Sequence, residues 1–169
     1  PFGETIPAGF SWFMSLASIP MSSFSRGPEV QAALAVAGQN VAVNICYEDV
    51  FGEEIIRALP LAGILANLSN TAWFGRSLAQ PQHLQIAQMR ASETGRPMLR
   101  ATNTGMTAIV TADGNVQAAL EPFTTAVLKG EIRAYEGMTP YARFGNWLAL
   151  ALMAACGLLG LSGRRLRTP

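Results

Sequence analysis

The reactive side chains of this 169-residue chain gather in one short run, VAVNICYED at 41–49. An apolar, β-branched stretch suits a strand buried on both faces, and it stops at Cys46. Tyr47, Glu48 and Asp49 follow at once. A thiol acts as a nucleophile only as its thiolate, from a resting pKa of about 8.5, and needs a base or a cation beside it. Two neighbouring acids oppose a further negative charge, so that cation has to come from elsewhere in the chain. The sole lysine, Lys129, lies in a late segment. On these residues alone Cys46 reads either as a buried core cysteine or as a nucleophile at the rim of a sheet. The other cysteine, Cys156, sits in the last apolar segment and is expected to stay unpaired with it. The single histidine, His83, has no partner of its kind and reads as structural, and no cysteine or histidine spacing suits a metal.

Several elements are needed to position that run. Segment 41–46 is expected as a strand, and 50–58 as a helix with Asp49 as its N-cap and Pro60 after its end. A second buried strand is expected at 63–68, followed by a loop at 69–75. A helix over 82–93, closed by Gly95 and Pro97, leads to strands at 98–103 and 106–112. Asp113-Gly114 is a hairpin signal into 116–120, and 127–134 reads as one more strand. Strand, helix, strand, helix and then a run of strands gives an α/β fold with a mixed sheet. Residues 1–29 are rich in Pro, Gly and Ser. Within them Phe10, Trp12, Phe13 and Met14 form either core or a membrane-dipping arm. Glu93 and Arg96 read as helix-end residues.

Composition separates the last segment from the rest. Half of the residues are hydrophobic and 14% are charged, with a mean hydropathy of +0.24. The net charge of +1 gives no basis for binding nucleic acid. Residues 144–162 carry no charge. As a helix they run about 28 Å, close to a hydrocarbon core of roughly 30 Å. Trp147 stands at one end, and Arg164, Arg165 and Arg167 stand at or beyond the other. That pattern reads as a membrane span over 144–163 with a cytoplasmic basic tail at 164–169, a buried core helix being the alternative. The globular part, 1–143, then lies on the opposite side of the membrane. The start, PFGE, has neither an initiator Met nor a signal peptide, and the chain reads as the C-terminal part of a longer protein.

Motifs in order along the chain, PFGE at 1–4, PMSSFSRG at 20–27, NICYE at 44–48, NLSNTAWFG at 67–75 and TPYAR at 139–143, closely resemble those of the apolipoprotein N-acyltransferase family, the membrane branch of the nitrilase superfamily. The resemblance implies an αββα nitrilase-like sandwich, truncated at its N-terminal side and followed by one C-terminal transmembrane helix. It implies that Cys46 is the nucleophile, that the amide of Tyr47 helps to hold the oxyanion, and that Glu48 and Glu4 are active-site acids. It also implies that Trp73 falls on the loop lining the acyl and substrate entrance, and that Phe24 is a second substrate-binding residue. The family's general-base glutamate and its lysine lie upstream of PFGE, outside this chain, and Lys129 matches no family motif. The fragment alone is therefore expected to be inactive.

The activity so implied passes a fatty acyl chain from a phospholipid, through a Cys46 thioester, to the N-terminal amine of a diacylglyceryl-cysteine apolipoprotein. No cofactor is implied. The setting is the bacterial inner membrane, with the catalytic domain on its periplasmic face. Two alternatives are a nitrilase-type amidase and a non-catalytic, membrane-anchored lipid-binding relic.

Overall fold

A computed structural model describes Pro28 and residues 31–165, the side chains after 160 excepted. Glu4, Phe24, the aromatic group at 10–14 and Arg167 lie outside these residues, as do the side chains of Arg164 and Arg165.

Six strands form a single sheet in sequence order: β1 (Leu34–Val36), β2 (Gln39–Ile45), β3 (Ile64–Ser69), β4 (Met98–Thr102), β5 (Ala108–Val110) and β6 (Val116–Ala119). The three central strands β2, β3 and β4 are parallel, and each outer pairing is antiparallel. The mixed sheet is as expected. The edge strand β1 is an addition, joined to β2 through Ala37 and Gly38, both at positive φ (49° and 77°), which is the geometry of a tight hairpin turn.

Helices α1 (Gly52–Ile55), α2 (Ala79–Thr94), α3 (Pro140–Phe144) and α4 (Trp147–Arg165) complete the described elements. The helix α2 starts earlier than the sequence suggests and ends on Gly95 in the left-handed conformation (φ 63°). At 50–58 there is no continuous helix. A 3₁₀ turn at Cys46–Val50, the single turn α1 and a second 3₁₀ turn at Ile56–Ala58 replace it. Asp49 caps nothing there, because its carboxylate is taken up by the buried Arg100 and His83 side chains. The strand expected at 127–134 is absent. That segment forms no ladder and is held by Gln117 Nε2 donating to Glu131 O at 3.1 Å and, just past it, by the Tyr135 N–H on Gly63 O at 3.1 Å.

Strand alternation divides the sheet. Ala42, Leu65 and Met98 pack under Leu84, Ala87 and Ala91 of α2, with Leu59, Val110 and Ala142 closing the core. The opposite face bears Val43, Ile45, Ala66, Leu68, Leu99 and Ala101, all exposed or half-exposed. Burial on both faces, expected from the apolar run, holds at Val41, Ile64 and Ile109 of this face but not along the rest of it. The segment around Gly130 packs on Ile109, and no described helix covers the remainder.

The helix α4 is exposed along 147–160. No helix among the described residues is long and apolar enough to cross a membrane.

Leu65 is fully buried at the centre of the parallel strands, between Ala42 and Met98 in register. Leu65→Ala is expected to cost about 2–5 kcal/mol, through lost burial and the cavity left behind. A thermal unfolding midpoint equal to wild type is the contrary result.

Candidate functional site

Because β2, β3 and β4 run parallel, their C-terminal ends share one edge of the sheet, where α/β proteins place their sites. Cys46 is the first residue past β2. Ile45 is still extended (φ −114°, ψ 127°), whereas Cys46 turns to φ 53°. A non-glycine residue in this left-handed region costs roughly 1–2 kcal/mol, so the surroundings must hold it there. The turn points the chain sharply away from the strand, and the 3₁₀ turn follows. Glu48 closes it, with Oε2 accepting the Ile45 N–H at 2.7 Å. Tyr47 is half-exposed, and its ring meets Phe51 edge-on with centroids 6.0 Å apart. The thiol is partly buried, with Sγ 4.0 Å from Asn70 O.

Beneath the turn lies a row of polar side chains that the sheet register creates. Asn44, Asn67 and Arg100 are direct neighbours on β2, β3 and β4, and all three are buried. Asn67 Nδ2 donates to Asn44 Oδ1 at 2.5 Å and to Cys46 O at 2.9 Å. Asn67 Oδ1 accepts from Ser69 Oγ at 2.6 Å and from Arg100 Nη1 at 3.1 Å. Arg100 Nη1 also reaches Asp49 Oδ2 at 3.2 Å, and Asp49 Oδ1 lies 2.9 Å from His83 Nε2. Burial pushes the Arg100 guanidinium below its usual range, while Asp49 and the nearby Cys46 hold it up. Arg100 is thus a buried cation joined through the Asn67 amide to the Cys46 carbonyl, with its charge shared by Asp49. Its only trace in the sequence is position: in MLRAT at 98–102, alternation places an arginine on the same face as buried Met98.

The loops after β3 and β4 frame the turn. Asn103 Oδ1 accepts the Thr71 N–H at 2.9 Å and its Nδ2 donates to Asn70 Oδ1 at 2.7 Å. Gln80 on α2 donates to Thr71 O at 3.4 Å and Gly75 O at 3.2 Å, pinning both ends of the 71–75 loop. A Cβ on Gly105 would press on Gln80 Oε1 and stand 2.8 Å from Thr71 Oγ1, so a larger residue there would displace this knot. Trp73 rides on the loop in a 3₁₀ turn, 86% exposed. Farther along, Arg76 stacks on the Phe123 ring, 4.3 Å from its centroid.

Of the residues singled out from sequence, Cys46, Tyr47 and Glu48 share one turn, and Trp73 lies on the adjoining loop. His83 is buried as the partner of Asp49. Asn67, Asp49 and Arg100 are additions. Glu93 pairs with Arg90 at 2.9 Å, and Arg96 is buried, donating to Ala62 O at 2.9 Å and Gly137 O at 2.7 Å. Among the described residues no group of His, Cys, Asp and Glu could hold a metal.

Arg100→Met leaves the Asp49 carboxylate buried against His83 alone, and a loss of about 3–5 kcal/mol is expected. Adding Asp49→Asn should recover part of it, an interaction energy of about 0.5–3 kcal/mol in the double-mutant cycle. Strict additivity in thermal or denaturant unfolding would show that the two side chains are not coupled.

A model of the family described as carbon-nitrogen hydrolase matches residues 13–141. The apolipoprotein N-acyltransferase of Nitrosomonas europaea is 57% identical over 98% of this chain and 34% of its own length. That of Ralstonia nicotianae is 52% identical over 98% of this chain and 32% of its own. The chain therefore spans about a third of the length of these curated relatives. Among solved structures, a carbon-nitrogen hydrolase from Helicobacter pylori superposes with a TM-score of 0.53 at 15% identity, over 59% of this chain and 42% of that one. A variant of an amidase from Nesterenkonia, with an acetamide moiety covalently added at its active-site cysteine, gives 0.50 at 21% identity, over 59% and 41%. At these identities the two structures speak for the fold, and with the family match over most of its length the chain belongs to the carbon-nitrogen hydrolase family.

Proposed function

We propose that this chain is the C-terminal part of an apolipoprotein N-acyltransferase and that Cys46 carries the acyl group. The observation that carries the reading is the Cys46 turn. A thiol held at positive φ, at the rim of parallel strands, stands beside a loop whose aromatic tip is open to its surroundings. The similarity to the Nitrosomonas and Ralstonia enzymes over nearly the whole chain supports the substrate class. The amidase with its modified cysteine supports covalent chemistry at a thiol in this fold.

In the first step the Cys46 thiolate attacks the ester carbonyl of a phospholipid. A C–S bond forms, the ester C–O bond breaks, and the lysophospholipid leaves as an alcohol after taking a proton. In the second step the α-amine of a diacylglyceryl-cysteine attacks the thioester carbonyl. A C–N bond forms, the C–S bond breaks, and the amine's proton returns the thiol. Splitting the transfer over a covalent intermediate lowers each barrier. The Tyr47 N–H holds the oxyanion in both steps, Glu48 fixes the turn, and Trp73 and Phe24 line the lipid's path. Glu4 and the upstream glutamate and lysine of the family complete the site in the full-length protein. The rest of that protein also supplies the layer over the open face of the sheet.

On this reading residues 144–163 anchor the domain in the inner membrane, with the catalytic part on the periplasmic side. A helix with Leu148, Leu150, Leu152, Met153, Leu158 and Leu159 all exposed suits a lipid surround better than water.

In the full-length protein mixed with phospholipid, mass spectrometry is expected to find a fatty-acyl adduct on Cys46. Cys46→Ala should abolish both adduct and transfer while leaving unfolding nearly unchanged, because little volume is lost. Amide hydrolysis without an adduct would assign the protein to the amidases instead, and collapse of the fold in Cys46→Ala would return Cys46 to the core.

A further inference from the structure

The polar row beneath Cys46 has a consequence for the peptide that follows it. The Cys46 carbonyl points down into the sheet, where it takes one of the two Asn67 amide hydrogens at 2.9 Å. The peptide between Cys46 and Tyr47 is trans, and in a trans peptide the C=O and the next N–H lie in one plane and point in opposite directions. Fixing the carbonyl inward therefore aims the Tyr47 N–H outward, on the side of the turn away from the buried row. We propose that Asn67 is a positioning residue for acyl transfer, orienting the Cys46–Tyr47 peptide so that its N–H meets the developing oxyanion.

The orientation of the Asn67 amide is not ambiguous. Arg100 has only donors, so the oxygen must face it, and Cys46 O is only an acceptor, so the nitrogen must face the turn. All four hydrogen-bonding positions of the amide are filled, by Asn44, Cys46, Ser69 and Arg100. Rotating it would place nitrogen against guanidinium and oxygen against two oxygens. Arg100, kept in place by Asp49, and Asn44 thus lock Asn67, which in turn locks the peptide. The same bond helps to keep Cys46 at its strained φ.

The assignment rests on Cys46 being the nucleophile, and two reactions of one thiol separate it from a structural role. Acylation by phospholipid places negative charge on a carbonyl oxygen and needs the Tyr47 N–H. Alkylation by iodoacetamide displaces iodide at a saturated carbon and does not. Asn67→Leu, near in shape and uncharged, is made in the full-length protein and assayed in vesicles of phosphatidylethanolamine and phosphatidylglycerol, with Cys46 followed by peptide mass.

The expected result is a fall of about 10²-fold in the rate of Cys46 acylation, in kcat rather than KM, with alkylation within about threefold of wild type across the pH range. Should this variant fail to accumulate, Asn44→Leu removes one lock on the amide and is expected to show the same selective loss, about tenfold, as befits partial misplacement. Acylation at the wild-type rate overturns the assignment, and so does an equal fall in acylation and alkylation, which marks a purely structural residue. A wild-type protein that takes no acyl chain on Cys46 overturns instead the functional reading on which the assignment rests.

Discussion

The hydrogen bond from Asn67 to the Cys46 carbonyl is the contact on which the geometry of the site depends. It exists because β2, β3 and β4 are parallel and in a register that sets Asn44, Asn67 and Arg100 side by side. A slip of one residue in β3 would carry Asn67 to the open face and bring Leu68 or Ala66 under the turn. A buried amide without partners is costly, so the polar row also selects the register against its alternatives. Sheet pairing and site geometry are in this sense one constraint.

The charges below that row have a different energetic character. Asp49 is fully buried and Arg100 nearly so, with Arg100 Nε left without a partner. A buried ion pair of this kind regains its desolvation cost only with good geometry, and an apolar replacement of the same volume is often as stable. The core over Leu65 and Met98 carries the stability of the domain. The group Arg100, Asp49 and His83 joins β4, the 3₁₀ turn after Cys46 and α2 in one arrangement. It resists separation of the parts that bear the chemistry.

Much of this was legible in the sequence where local rules decide. The apolar runs gave the parallel strands, Gly95 gave the end of α2, and Asp113-Gly114 gave the last hairpin. The rules failed where tertiary contacts outweigh propensity. Asp49 has the sequence position of an N-cap, but a buried arginine and histidine offer its carboxylate more than a helix end does. The segment at 127–134 has strand-like residues, yet it passes β6 on a side-chain contact, Gln117 Nε2 donating to Glu131 O at 3.1 Å, in place of a backbone ladder. Arg100 and Asn67 lie in apolar strands with no local mark beyond alternation, and only the pairing of strands far apart in sequence brings them beneath Cys46. By contrast, Cys46, Tyr47 and Glu48 are consecutive, so one turn was enough to unite them.

Exposed apolar surface occurs here in patterns that call for different surroundings. Along Val43, Ile45, Ala66 and Leu68 it follows the period of two of a strand, with Asn44 and Asn67 of the same strands buried on the other side. A surface with that alternation is one half of a protein core and needs a second protein layer. Along 147–160 there is no polar face at all, and a helix apolar all round needs apolar cover on every side, whether protein or lipid. Trp73 has neither period. It sits at the tip of a loop held at both ends by Gln80, with the ring turned outward. A large amphipathic ring so held suits a boundary between polar and apolar surroundings.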